Sequence, residues 1–127
     1  MKNDFDETDY LPGEIAWNEL VTQDTKGSRN FYTDLLGWEA VPMTDDLEYE
    51  IFQADGENVA GLMKAKSAGM PAMWIPYIAV EDIAATLSDA LKLKATKLMG
   101  PMTVPTVGQI AVIKDPQGAV VGLLQSE

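Results

Sequence analysis

The chain has 127 residues, contains no cysteine and no histidine, and carries a formal net charge of −11 at pH 7. This is the length of one ordinary domain, which buries enough surface to fold without a disulfide or a metal. The composition excludes a disulfide framework and the Ser-His-Asp and Cys-His nucleophiles, and the negative charge disfavours nucleic acid and anionic membranes as partners.

The first half of the chain predicts a strand, a helix and three more strands. Residues 1–12 are a polar, acidic tail without the apolar segment of a signal peptide. The alternation of residues 14–21 predicts a strand, Asp24 is a candidate helix N-cap, and residues 25–36 predict an amphipathic helix ended by Gly37. The apolar residues of this helix are expected in the core: Phe31, Leu35 and Leu36. The three strands that follow are predicted over residues 38–43, 48–54 and 58–65.

The second half repeats this order. Residues 73–80 predict a strand, Asp82 is a second candidate N-cap, and residues 83–93 predict a helix. The buried stripe of this helix is predicted to hold Ile83, Leu87 and Leu91, with Ala84 and Ala90. Strands are then predicted over residues 96–102, interrupted at Gly100-Pro101, and over residues 109–114 and 119–125.

The duplicated order is the strongest architectural feature of the sequence. Asp24 and Asp82 each close a strand and open a helix, and Gly61 and Gly122 each sit in the last strand of their half. The repeat predicts an α+β domain over residues 13–127, built from two βαβββ modules at 13–66 and 73–127 with a linker at 67–72. The pattern alone would also fit a ferredoxin-like or ACT-like regulatory domain.

The motifs together resemble one known family. A strand, then Asp24, then FYTDLLGW at residues 31–38, and a second half that ends with DPQG at residues 115–118 and Gly122-Leu123, are similar to the vicinal oxygen chelate superfamily. That superfamily includes glyoxalase I, extradiol dioxygenases, fosfomycin-resistance enzymes and bleomycin-resistance binding proteins. The resemblance covers residues 13–125. It implies a curved mixed sheet of two half-barrels around a cavity, helices outside, pairing into dimers, and a small molecule bound in the cavity, often over a divalent metal.

The sequence departs from the family at the metal ligands. The resemblance places the two first-strand ligands at Trp17 and Ile75, and the final-strand carboxylates at Gly61 and Gly122. An indole, an alkyl chain and two hydrogens cannot coordinate a metal. We therefore predict no metal and no cofactor, which argues against glyoxalase-type or dioxygenase-type metal chemistry.

Two residues are candidates for catalysis. Strand alternation places Glu19 on the face of Trp17, so a cavity-facing Trp17 implies a cavity-facing carboxylate. Glu19 is then a general base, an anchor for a cationic or hydroxylated ligand, or half of an ion pair, for instance with Arg29; it could also be purely structural. Tyr77 could donate its hydroxyl to a ligand, or be a core tyrosine with its hydroxyl at the rim.

The wider ligand-binding set consists of the polar and aromatic candidates and two methionines. Tyr49 and Phe52 lie on opposite faces of one strand, so at most one of them lines the cavity. The predicted set is Trp17, Glu19, Tyr49, Phe52, Met63, Tyr77 and Met102. The acidic stretch at residues 44–48 lacks the ligand spacing of a calcium loop and is interpreted as a solvated loop.

Three functions follow as alternatives. The first is a metal-free binding protein that holds a small, partly apolar or aromatic molecule between the modules. The second is a metal-independent isomerase or lyase with Glu19 as base and Tyr77 as acid. The third is a non-catalytic interaction subunit. In each case the resemblance implies a homodimer. We expect it in the cytoplasm, because the chain has neither the pattern of a signal peptide nor an apolar run long enough to span a bilayer.

Overall fold

The structure is a computed structural model, and it describes residues 10–44, 48–66 and 69–127. Most of the acidic tail, the centre of the 44–48 loop and two positions of the predicted linker lie outside these residues. The described residues form two compact units. The first is Asn18–Ile75, and the second combines residues 10–17 with Pro76–Glu127.

The predicted order βαβββ occurs twice and confirms the α+β class. The first module contains β1 (Ile15–Thr22), α1 (Thr25–Leu36), β2 (Glu39–Thr44), β3 (Tyr49–Ala54) and β4 (Glu57–Lys64). The second contains β5 (Met73–Ala79), α2 (Ile83–Lys92), β6 (Thr96–Val104), β7 (Gly108–Lys114) and β8 (Val120–Ser126).

Both helices begin at the predicted aspartates. The Gly27 amide donates a 2.9 Å hydrogen bond to Asp24 Oδ1, and the Ala85 amide donates a 3.1 Å bond to Asp82 Oδ1. Each bond satisfies an amide that has no partner inside its helix. Gly37 ends α1 in the left-handed conformation, with φ of 73°, and its amide donates to the Thr33 carbonyl.

The strand order in the first module is β2-β3-β4-β1. β1 runs parallel to β4, whereas β2 with β3 and β3 with β4 are antiparallel. The side of this sheet that faces α1 carries a core of Leu20, Phe52, Ala60 and Leu62, packed against Tyr32 and Trp38.

The predicted core residues of α1 are wrong. Phe31 is 56% exposed and Leu35 is 62% exposed, and Leu36 is also exposed. The half-buried face of α1 instead carries Thr25, Ser28, Arg29, Tyr32 and Thr33. This spacing of three and four residues is that of a helix face, so α1 turns a mostly polar stripe with one tyrosine toward the sheet.

The second module has the strand order β5-β8-β7-β6. β5 is parallel to β8, and the remaining pairs are antiparallel. Ile83 and Leu87 of α2 pack into a core with three sheet residues, Ala111, Ile113 and Leu123. The prediction for this helix is right at these two positions and wrong at Leu91 and Ala84, which are exposed. Leu91 lies beyond the last buried residue, Leu87, and Ala84 is turned about 100° around the helix from Ile83.

The interruption predicted in β6 proves to be a change of register within one strand. Lys97, Met99 and Met102 pair with Ile113, Val112 and Ile110, so the register shifts on each side of Met99. Residues 98, 100 and 101 are taken up in these irregularities, as in a β-bulge. β6 therefore continues to Val104 rather than ending at Met102.

Candidate functional site

The face of the first sheet opposite α1 carries the candidate carboxylate. Glu19 pairs with Gly61 and Ile51 pairs with the same glycine, while Tyr49 pairs with Met63. Residues in register share a face, and successive residues of a strand alternate. Because Leu20 and Leu62 belong to the helix-facing core, Glu19, Tyr49 and Met63 lie together on the other side. We call this side the helix-free face of the first module.

Glu19 is completely buried, with 0% of its surface exposed. Its neighbours on the same face are apolar or aromatic: Val21, Tyr49, Ile51 and Met63, all of them buried. Removing a carboxylate from water costs several kcal/mol unless hydrogen bonds or opposite charges compensate. A residue this costly is retained for a structural network or for a function.

Phe52 does not belong to this set. Its ring lies on the helix side, 5.9 Å from the ring of Tyr32 and 5.1 Å from that of Trp38. The sequence predicts that at most one of Tyr49 and Phe52 lines a cavity. Because Phe52 lies on the helix side, Tyr49 is the remaining candidate. Phe52 is a core residue beneath α1.

The corresponding face of the second module carries Tyr77 and Met102. Tyr77 pairs with Gly122, which pairs with Val112, while Ala79, Leu124, Ile110 and Met102 form the adjacent row. The opposite side holds the core beneath α2. Tyr77 is fully buried, and Met102 is partly buried.

The ring of Tyr77 lies directly over Gly122. A Cβ atom added at Gly122 would overlap ring atoms of Tyr77, so only glycine fits beneath this side chain. Gly122 is the position at which the family resemblance placed a metal-binding carboxylate. The phenol ring of Tyr77 therefore occupies the space into which that side chain would extend.

The remaining positions also do not fit the family metal. Trp17, which is buried in the second unit, and Ile75, which is buried in the first, offer no donor atoms. Among the residues that the structure describes, no group of three His, Cys, Asp or Glu side chains could hold a metal ion. The donor chemistry of this chain therefore does not match the metal site of the family.

The two modules place different side chains at one equivalent position. Glu19 and Tyr77 stand the same distance before the N-cap aspartates, Asp24 and Asp82, and each pairs in parallel with a glycine of the fourth strand of its module. Sequence reasoning considered the aspartates and glycines but missed this correspondence. Counting back from each aspartate would have revealed it.

No helix in the described part of the chain is long and apolar enough to cross a membrane.

The family assignment follows from comparison with known proteins. A family model described as Glyoxalase/Bleomycin resistance protein/Dioxygenase superfamily matches residues 14–123. The chain belongs to this superfamily. Within the superfamily it is 31% identical over 115 residues to a protein of Mycobacterium tuberculosis with the provisional name glyoxylase CFP32. It is 33% identical over 128 residues to the anthracycline biosynthesis protein DnrV of Streptomyces peucetius.

These alignments cover 89% and 88% of the chain but only 44% and 46% of the relatives. The chain thus spans less than half of the length of the curated superfamily members that it matches.

Solved structures of other proteins share the fold. A variant of homoprotocatechuate 2,3-dioxygenase from Brevibacterium fuscum matches with a TM-score of 0.56 at 21% identity, over 92% of this chain and 34% of the dioxygenase. The Mn(II)-bound glyoxalase of Novosphingobium aromaticivorans matches with a TM-score of 0.56 at 18% identity, over 90% of this chain and 39% of that one. The protein BH1468 of Bacillus halodurans matches with a TM-score of 0.58 at 12% identity, over 91% and 95% of the two chains.

Proposed function

We propose that this superfamily member binds a small, partly apolar or aromatic molecule without a metal, and that Glu19 anchors a polar or cationic group of that molecule. The observation that carries the proposal is the complete burial of Glu19 on a face otherwise formed by Val21, Tyr49, Ile51 and Met63.

The face has the composition of a small-molecule site. Such sites are mostly apolar and aromatic, with a few placed polar groups that fix orientation. Tyr49 offers an aromatic wall and Met63 a flexible, polarizable one. A carboxylate among them would favour ligands that carry a hydrogen-bond donor or a positive charge, because charge-assisted hydrogen bonds are the stronger ones. The net charge of −11 favours the approach of cations.

The names of similar proteins indicate which ligands to try first. One relative is named for anthracycline biosynthesis, and the family description includes bleomycin resistance. Both names refer to extended molecules with aromatic parts and basic groups. Flat aromatic amines of this kind are therefore the class that we propose for this chain.

The test compares two carboxylate-to-amide substitutions in the same sheet. Bleomycin, an anthracycline and simpler flat aromatic amines are screened for an increase in melting temperature, and hits are measured by titration calorimetry. Glu19→Gln is expected to weaken binding of a hit about tenfold or more, since it removes a buried charge partner. Glu50→Gln is the matched control, because Glu50 lies on the helix side of β3 and forms an ion pair with Arg29.

The two variants separate a binding role from a structural one. The proposal requires Glu50→Gln to lower stability without changing affinity. If Glu19→Gln lowers the melting temperature and leaves affinity unchanged, Glu19 is structural. If no compound in the panel raises the melting temperature, the third alternative, an interaction subunit without a ligand, is favoured.

A metal-independent isomerase or lyase is the second candidate. The specific observation in its favour is that the equivalent positions of the two modules carry a proton acceptor, Glu19, and a proton donor, Tyr77. An enzyme of this kind would lose turnover but not binding in Glu19→Gln, and its rate would vary with pH. A binding protein would lose affinity in the same variant.

A homodimer in the cytoplasm completes the proposal. Native mass spectrometry of the protein isolated from its own cells would report the subunit number and any co-purified molecule together. A monomeric species at micromolar concentration would contradict the dimer.

A further inference from the structure

The first compact unit, Asn18–Ile75, contains a depression away from the helix-free face. It has a volume of about 520 Å³ and lies between the first turns of α1 and the start of β5. Its walls combine a carboxylate, a hydroxyl and three aromatic rings: Asp24, Ser28, Phe31, Tyr32 and Trp74. The volume is within the range of small-molecule sites. We call this depression the α1 pocket.

The aromatic rings of the α1 pocket are held in place by one another. The Phe31 and Tyr32 rings meet edge to face at 4.9 Å, and the Tyr32 and Trp74 rings do so at 5.4 Å. The indole Nε1 of Trp74 donates a 3.1 Å hydrogen bond to the hydroxyl of Tyr32. Trp74 is nevertheless 39% exposed and Phe31 56% exposed. Large, ordered and exposed rings of this kind mark a binding surface more often than a core.

The carboxylate of Asp24 lies over the first turn of α1. Its Oδ1 accepts the cap hydrogen bond from Gly27, and a Cβ atom at Gly27 would meet the other carboxylate oxygen. The missing side chain at Gly27 therefore leaves room for the carboxylate at the wall of the α1 pocket. The equivalent residue of the second module is Ala85, and its cap bond is slightly longer, 3.1 Å.

From these observations we propose that the α1 pocket binds a small organic ammonium ion. The cation would lie against the faces of Trp74 and the neighbouring rings and be neutralised by Asp24. Aromatic faces attract ammonium groups through their quadrupole, most strongly at tryptophan. None of the described residues that line the pocket is basic.

The sign of the preferred charge follows from magnitudes. The start of a helix carries about half a positive charge, which by itself would favour an anion. The full negative charge of Asp24 outweighs it, and the protein as a whole has a net charge of −11. The pocket is therefore predicted to reject an anion and to accept a cation. The site is separate from the Glu19 face, because Leu20 and Tyr32 belong to the helix side of the sheet.

The first experiment uses choline as the probe and 3,3-dimethylbutan-1-ol, its uncharged carbon analogue, as the control. Both are titrated into ¹⁵N-labelled protein, and the three tryptophan indole N–H resonances are followed. We expect the resonance of Trp74, assigned by its loss in Trp74→Leu, to shift with choline. The uncharged analogue is expected to bind at least about fivefold more weakly than choline, since it forms no cation–π contact.

The second experiment uses matched cap variants. Asp24→Asn keeps an oxygen that can accept the Gly27 hydrogen bond but removes the charge, and Asp82→Asn makes the same change at α2. We expect Asp24→Asn to weaken choline binding about threefold to fivefold. Asp82→Asn should leave choline binding unchanged, and the two variants should lower the melting temperature similarly.

Three results would overturn the proposal. The first is no shift of the Trp74 resonance up to 100 mM choline, or an equal response to the uncharged analogue. The second is an equal loss of affinity in the two cap variants. The third is choline binding that Glu19→Gln abolishes and Asp24→Asn does not affect, because that result assigns the cation to the helix-free face and supports the proposed function instead.

Discussion

The two modules share their strand order and their helix caps but attach their helices differently. α2 is held by aliphatic burial, with Ile83 and Leu87 in a core of sheet residues. α1 has no buried residue and is held by the Tyr32 ring and by an ion pair from Arg29 to Glu50. One backbone plan therefore tolerates two kinds of helix packing. The helix with the weaker aliphatic packing, α1, is also the one that carries an exposed aromatic ring, that of Phe31.

The same contrast appears on the helix-free faces. The position that pairs with the fourth-strand glycine is a carboxylate in the first module and a phenol in the second. In the second module the ring fills the space over Gly122 with carbon. In the first module the equivalent position carries a carboxylate. The two modules share their strand pairing at this position, while the chemistry of the two faces differs.

The largest expected effect tests the packing of α1. Phe52→Ala should lower the free energy of unfolding by about 3–5 kcal/mol, because it empties a fully buried site beneath the helix. The ring of Phe31 also contacts Tyr32 but is exposed. Phe31→Ala should therefore lower the free energy of unfolding by no more than about 0.5 kcal/mol. Urea unfolding measures both. Comparable losses in the two variants would mean that Phe31 is a core residue after all.

The error at α1 shows where sequence reasoning reached its limit for the fold. Apolar residues at 31, 35 and 36 predicted the helix itself correctly, because its span and both of its ends were right. They predicted its buried face wrongly. A single tyrosine and an ion pair to Glu50 orient this helix, and the partner of Arg29 lies 21 residues away in the sequence. Tertiary contacts of that kind leave no periodic pattern to detect.

The second prediction concerns the ring over Gly122. Gly122→Ala should destabilise the protein by about 1–3 kcal/mol, because the new methyl group overlaps the buried Tyr77 ring. In a Tyr77→Ala background the same methyl group should instead stabilise, since it fills part of the cavity that the ring leaves. A double-mutant cycle of thermal unfolding measures the reversal. The same cost in both backgrounds would show that Tyr77 is not the obstacle.

The site was predictable in part for a related reason. The alternation of β1 alone predicts that Glu19 and Leu20 lie on opposite faces of the sheet. The structure confirms this, because Leu20 lies in the helix-side core and Glu19 pairs with Gly61 on the other face. The pairing of Tyr77 with Gly122 depends on register between strands 45 residues apart in the sequence. Such a register is set by the folded sheet, so the position of the Tyr77 ring over Gly122 could not be predicted from the sequence.

A smaller effect is expected for the ion pair that orients α1. Arg29 donates to both carboxylate oxygens of Glu50, at 2.8 and 2.5 Å. The hydrogen bond to Glu50 and the charge of that residue raise the pKa of Arg29 further above its already high ordinary value. A raised pKa in the folded state means that the stabilisation is complete at every pH below the ordinary arginine range and is lost only as pH rises through the folded value.

The loss in Arg29→Gln should therefore be about 1 kcal/mol or less, since the pair is partly exposed, and should be constant from pH 6 to pH 10. Urea unfolding at several pH values, repeated in a Glu50→Gln background, measures it. A loss that disappears before pH 10 would contradict the assignment, as would an undiminished loss in the second background.

The smallest expected change in stability distinguishes the two helix caps. Alanine is a better helix residue than glycine by about 0.5–1 kcal/mol. In Gly27→Ala this gain is offset, because the new methyl group forces the Asp24 carboxylate to move aside. The cap at Asp82 forms beside an alanine, Ala85, so such a movement is compatible with the cap hydrogen bond. We expect a net change within about 0.5 kcal/mol.

The same substitution should nevertheless weaken choline binding at the α1 pocket, because it displaces the carboxylate that faces the rings. Thermal unfolding and the Trp74 resonance give the two readings on one sample. Unchanged choline binding in Gly27→Ala would mean that the position of the Asp24 carboxylate does not matter. The difference between the two caps would then have no bearing on function.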